Sequence, residues 1–154
     1  LIKAKTGTFI VHIPYASSPA AVTSVIAGDT HMASLAPLAI MPQVQAGRLK
    51  ALAISTPQRS PLLPNIPTFK EAGILDVEAT AWIGIVAPAK TPQAALDALN
   101  RAFVAALKDG PTVEKLRAQY MEPEPGTPAQ FAAFMQAELK RWTPVIRRSG
   151  ATAD

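Results

Sequence analysis

The first 55 residues alternate between two kinds of signal, and that alternation narrows the fold more than any other property of the chain. Residues 9–13 form a short apolar run closed by Pro14, which reads as a buried strand. Residues 18–27 follow as a helix, with Ser18 as N-cap, Pro19 at the first helical position and Gly28 after the last turn. Residues 31–35 are a second short strand, and 37–46 a second helix stopped by Gly47. A third strand spans 49–55. Parallel strands need crossovers long enough to hold a helix, so this order predicts an α/β arrangement with helices on the faces of a parallel sheet.

Prolines at 57, 61, 64 and 67 then make an extended surface loop. Thr68 and Glu71 have capping-box spacing, and Gly73 ends the short helix they open. Residues 77–86 are the longest strand candidate. Beyond them the pattern turns helical. Thr91 and Pro92 open a helix running to about Lys108, with Leu96, Leu99, Phe103 and Leu107 on one face. A short amphipathic helix carries Val113, Leu116 and Tyr120, and 121–125 read as a short edge strand. Thr127, Pro128 and Gln130 open a last helix to about Ser149, which is expected to bury Phe131, Phe134, Met135, Leu139, Trp142 and Ile146. Two unequal parts result. Residues 1–76 form an α/β lobe, and residues 77–154 a crossing strand with helices that need a sheet to cover their apolar stripe.

With 49% apolar residues the chain can build a core. Its 15 prolines sit mostly between periodic segments, as punctuation. The net charge of +4 comes from basic residues spread along the chain and not interleaved with aromatics, which argues against nucleic-acid binding while suiting attraction of anions. No cysteine is present, so disulfides, thiol catalysis and thiolate metal sites are excluded. No apolar run approaches the roughly 20 residues of a membrane-spanning helix. The chain opens without a signal-peptide layout or a methionine and is expected to begin partway through a longer protein.

Catalytic signals are poor. Phosphate-binding glycine loops and nucleophile elbows do not occur. His12 and His31 each fall within an expected strand, without a second ligand at metal spacing, and read as structural histidines bonded inside a sheet. Glu122 and Glu124, the close carboxylate pair, lie in a proline-rich segment that offers no cleft. No catalytic residue, metal site or cofactor is expected. Two loops carry more interest: Tyr15, Ala16, Ser17 and Ser18 after the first strand, and Ser34, Leu35 and Ala36 after the second. In open α/β sheets, ligands settle where strand ends meet helix N-termini, and free N–H groups there favour anions. The same serines serve equally well as ordinary caps and turn residues.

Several segments, taken in order, resemble one family. They are His12 to Tyr15, Val25 to Gly28, Ala46 to Ala53 after Pro42, Arg59 to Pro61, Pro64 to Thr68, Glu71 to Gly73, Trp82 to Gly84, and Ala87 to Pro92. Together with Thr127, Pro128 and the helix from Phe131 to Trp142, they resemble the TctC-type (Bug) solute-binding proteins of tripartite tricarboxylate transporters, over nearly the whole chain. The resemblance implies a periplasmic-binding-protein-like two-lobe fold with three-layer α/β lobes, here a partial chain. Residues 1–76 would be most of the second lobe, and 77–154 the crossing strand and C-terminal helices of the first.

It further implies a periplasmic, non-enzymatic protein that closes around a small organic carboxylate and delivers it to membrane permease subunits. Ligand contacts would come from the loops at Tyr15–Ser18 and Ser34–Ala36. Relatives usually carry lysine and glycine where Ala16 and Ser17 stand, and many carry aspartate at Leu35. A leucine cannot meet a ligand amine, so an acid without an amino group is expected. Two other roles remain compatible with the pattern: ligand presentation to a signalling partner, and an effector-binding domain of a transcription regulator. Because the helices at 92–108 and 128–149 lack their sheet, the fragment is expected to dimerise or swap segments.

Overall fold

The structure, a computed structural model, describes residues 1–150. Its helices are α1 (Ile2–Thr6), α2 (Ser18–Ala27), α3 (Pro37–Gln45), α4 (Gln93–Ala106), α5 (Gly110–Arg117) and α6 (Pro128–Ser149). The chain divides into two compact units, Leu1–Trp82 and a second beginning at Ile83.

Helix ends follow local chemistry closely. The N-cap of α2 is Ser17 rather than Ser18: its Oγ accepts the Ala20 N–H at 3.4 Å, and Pro19 falls at the second helical position, where a missing N–H also costs nothing. Gly28 closes α2 at φ +85°, a conformation that suits glycine. Asp109 caps α5 through the Thr112 N–H. Thr127 and Gln130 form the expected capping box of α6, with reciprocal bonds of 3.2 and 2.8 Å. The same device forms between Thr68 and Glu71, at 2.8 and 3.1 Å, but only turns follow it before Gly73 reverses the chain at φ +85°.

The expected three-layer α/β lobes are not found. Among the described residues no β-strand forms; an isolated parallel bridge joins Ile54 and Thr68. Residues 9–13, 31–35, 77–86 and 121–125 carry strand-like composition, yet they lie outside any ladder. The physical reason is that an apolar, β-branched run favours extended backbone by itself, whereas a strand also needs a neighbour supplying N–H and C=O groups in register. The first run, expected to be buried, is exposed instead, with Phe9 91% accessible. His12 and His31 are exposed rather than bonded inside a sheet.

The first unit is organised around Ile54 and Ser55. Ile54 receives the Phe69 N–H on its carbonyl and donates its own N–H to Pro67 O, at 3.0 and 2.9 Å. Ser55 faces the other way: its carbonyl accepts from Ala79 N at 2.9 Å and its Oγ donates to Ala79 O at 2.8 Å. Leu63, Thr68 and Val77 are buried, as are Ala21, Val22, Ser24 and Met41 from α2 and α3, which pack on each other. Lys5 of α1 pairs with Asp76 at 3.0 Å, holding a residue whose φ of +57° is tolerated by aspartate better than by most side chains.

Arg59 and Glu71 pair at 2.9 Å at the rim of this unit. The Thr68 N–H and the Arg59 guanidinium both favour the ionised carboxylate and hold Glu71 below its ordinary pKa. A carboxyl with a lowered folded pKa contributes stability that is complete above the ordinary carboxylate range and is lost as pH falls through the folded value. Glu71→Gln is therefore expected to flatten the acid limb of stability against pH while changing little at neutral pH. Urea unfolding midpoints of both proteins between neutral and acid pH measure this, and parallel acid limbs would count against the assignment.

In the second unit the helices α4, α5 and α6 carry no buried residue, contrary to the burial expected for α6. Asn100 Nδ2 of α4 donates to Gly126 O at 2.9 Å, tying α4 to the turn before α6. On α6 the Phe131 and Phe134 rings stack with centroids 6.5 Å apart, Trp142 donates to Glu138 at 3.0 Å, and Arg141 lies over the Trp142 ring. Phe131 also lies on the backbone of Gly84.

Candidate functional site

The residues singled out in the sequence fall in the first unit, in two loops that each lead into one of the packed helices. Tyr15, Ala16, Ser17 and Ser18 precede and begin α2; Ser34, Leu35 and Ala36 precede α3. All are exposed except the half-buried Leu35. The structure thus gathers the candidates onto one helix pair.

The donors available at each helix start are few. At α2, Pro19 has no N–H, the Ala20 N–H goes to Ser17 Oγ and the Ala21 N–H to Ser17 O at 3.2 Å. Ser18, the first residue of the helix, is exposed. At α3, Ala36 offers no side-chain cap, Pro37 has no N–H, and the Ala39 N–H is taken by Ala36 O at 3.0 Å. Partial positive charge at both ends favours an anion. With so few free amides, an anion here would rely on hydroxyls and ordered water as well.

Tyr15 does not simply hang free. Its Oη meets Ser24 Oγ at 2.5 Å, and Ser24 Oγ meets Thr30 Oγ1 at 3.0 Å. Neither Ser24 nor Thr30 is marked by any motif; the contact joins residues nine positions apart across a turn, which no periodic pattern announces. The shallow depression of about 140 Å³ lined by Thr56, Lys70, Asp76 and Glu78 involves neither loop. It is also smaller than the roughly 300 Å³ at which ligand pockets begin. The two loops therefore stand exposed, outside that depression. Among the described residues no cluster of histidine and carboxylate side chains has the makings of a metal site, and Glu122 is paired with Arg117 at 3.3 Å.

Comparison with known proteins supplies the context for these loops. Residues 1–151 match the family model described as tripartite tricarboxylate transporter family receptor (TctC). The protein BugT of Bordetella pertussis is 34% identical over 151 residues, covering 98% of this chain and 46% of BugT. Among solved structures, R. palustris Rpa4515 with adipate superposes with a TM-score of 0.87 at 32% identity, covering 96% of this chain and 50% of that one. A structure described as a periplasmic transporter gives 0.85 at 34% identity, covering 99% of this chain and 51% of its own. The chain spans about half the length of these relatives. Among the described residues no helix is long and apolar enough to cross a membrane.

Proposed function

The chain belongs to the tripartite tricarboxylate transporter receptor family, and from that premise we propose that it contributes half of a periplasmic receptor that captures a small organic carboxylate and hands it to membrane permease subunits. The observation that carries this reading is the superposition, at more than 30% identity, on a relative that holds adipate. The exposure of the loops at Tyr15–Ser18 and Ser34–Ala36 agrees with it, because a receptor that closes like a hinge needs each part to present only one side of the ligand. The net charge of +4 suits an anionic ligand. The role is capture, with no chemistry done on the ligand. The Leu35 side chain offers no acceptor to an ammonium group, so the expected ligand is an acid without an amine. Exposed apolar surface on both units adds a second expectation: the chain by itself associates with further copies.

Thermal unfolding with and without adipate, succinate, benzoate, aspartate and glutamate tests the reading. A ligand at 100 times its dissociation constant stabilises the folded state by about 2.7 kcal/mol, a shift of several degrees. Stabilisation by plain acids and not by amino acids is the expected pattern. Stabilisation by aspartate or glutamate alone would overturn the Leu35 argument, and silence with every carboxylate would overturn the ligand class.

A further inference from the structure

The hydroxyl chain behind the α2 loop has a direction and an anchor. Ser24 is 6% exposed and sits on the inner side of α2. Its carbonyl accepts the Asp29 N–H at 3.0 Å and the Thr30 N–H at 3.4 Å, while its Oγ meets Thr30 Oγ1 at 3.0 Å. Ser24 and Thr30 are thus fastened to each other through both backbone and side chain at the closed end of the helix. The remaining side of Ser24 Oγ is taken by Tyr15 Oη at 2.5 Å. Tyr15 stands three residues before the first helical turn, beyond the reach of the cap that Ser17 makes. The phenol is therefore its tether to the helix that the loop serves.

We propose that Ser24 is a positioning residue for the α2 loop: its hydroxyl, braced by Thr30, pins Tyr15 and so fixes where Ala16, Ser17 and Ser18 present their donors. The consequence for ligand affinity rests on the carboxylate-binding reading above; the consequence for loop order does not. Each of the three hydroxyls carries one proton, so the chain Tyr15–Ser24–Thr30 can run in either sense. When Thr30 donates to Ser24 and Ser24 to Tyr15, the phenolic proton is left to point outward. A carboxylate oxygen beside the loop would select that sense, and aligned hydroxyls strengthen one another.

The test uses the full chain, its Ser24→Ala, Ser24→Thr and Tyr15→Phe variants, and the double variant. Backbone amide exchange is read first, without ligand. Ser24→Ala and Tyr15→Phe should each speed exchange at Ala20 and Ala21, whose N–H groups are bonded to Ser17 of the loop, by about tenfold, the equivalent of one net hydrogen bond, while amides in the middle of α2 stay protected. The double variant should go no further than either single one, and Ser24→Thr, which keeps the hydroxyl, should exchange like the parent. Adipate affinity is read second and should weaken about tenfold in the same variants, with the same rescue by threonine. Unchanged exchange at Ala20 and Ala21 in Ser24→Ala overturns the proposal, as does faster exchange spread over the whole of α2, which marks general destabilisation. Changed exchange with no adipate binding by the parent chain leaves the positioning role standing and removes the carboxylate reading instead.

Discussion

The 154-residue chain on its own is expected to self-associate across a dilution series, and lysine at Val11 together with lysine at Ile85 is expected to weaken that association by about 100-fold or more. A mass of 16.3 kDa exposes 11,586 Å² here. Two separate compact bodies of half that mass would expose about 9,000 Å² between them. About 2,500 Å² is therefore surplus, which falls in the range that obligate interfaces bury. The surplus has the chemistry of an interior: Phe9, Val11 and Ile13 in one extended run, Ile83, Ile85 and Val86 in another, and Leu99, Phe103, Leu139 and Ile146 along α4 and α6.

Even if only half of this surface is apolar, covering it is worth on the order of 30 kcal/mol gross, far above the cost of bringing two chains together. A buried, unpaired ammonium costs several kcal/mol, so two of them set the expected loss. Sedimentation or light scattering reads the result. Supplying the half of BugT that this chain does not match should compete with self-association. A monodisperse monomer that unfolds cooperatively would sink the argument.

The same surface explains why some of the fold could be read from the sequence and some could not. Helix ends are local. Thr127 with Gln130 and the serine–proline start of α2 announce themselves within four residues, and the displacement at α2 is between two adjacent serines. α1 escaped because it has no side-chain cap and no apolar stripe, only Lys3 and Lys5 in its last turn. Strands are not local. The run at residues 9–13 is as apolar as a buried strand should be, but composition does not say whether a neighbour exists to pair with it. Burial of α6 failed for the same reason: an amphipathic stripe states that a helix needs covering, and nothing about what covers it. In the candidate site, the loop residues were visible because proline and serine mark helix starts. The Ser24–Tyr15 contact was not, because a hydroxyl at one turn's distance from a helix end looks like any other.

One contact in the second unit is tight enough to give a sharp result. The backbone of Gly84 runs under the ring of Phe131, and a Cβ on Gly84 would overlap the far end of that ring. Gly84 does not need an unusual backbone conformation, since its φ is not among the positive ones. Its requirement is therefore space alone. Stacking on Phe134, with planes 19° apart, opposes the swing the ring would have to make. Gly84→Ala is expected to cost about 2 kcal/mol, or about 10 °C in the midpoint of a body this size. Phe131→Leu shortens the ring's reach and by itself costs about 1 kcal/mol in lost contact. Combined with Gly84→Ala it should recover more than half of the loss, so that the two changes together are milder than their sum. Thermal unfolding of the four proteins closes the cycle. Strict additivity would mean that the ring yields without resistance. A neutral Gly84→Ala would mean that the segment at 83–86 is not held against α6, and with it would go a close contact that ties the apolar run of Ile83 and Ile85 to a helix.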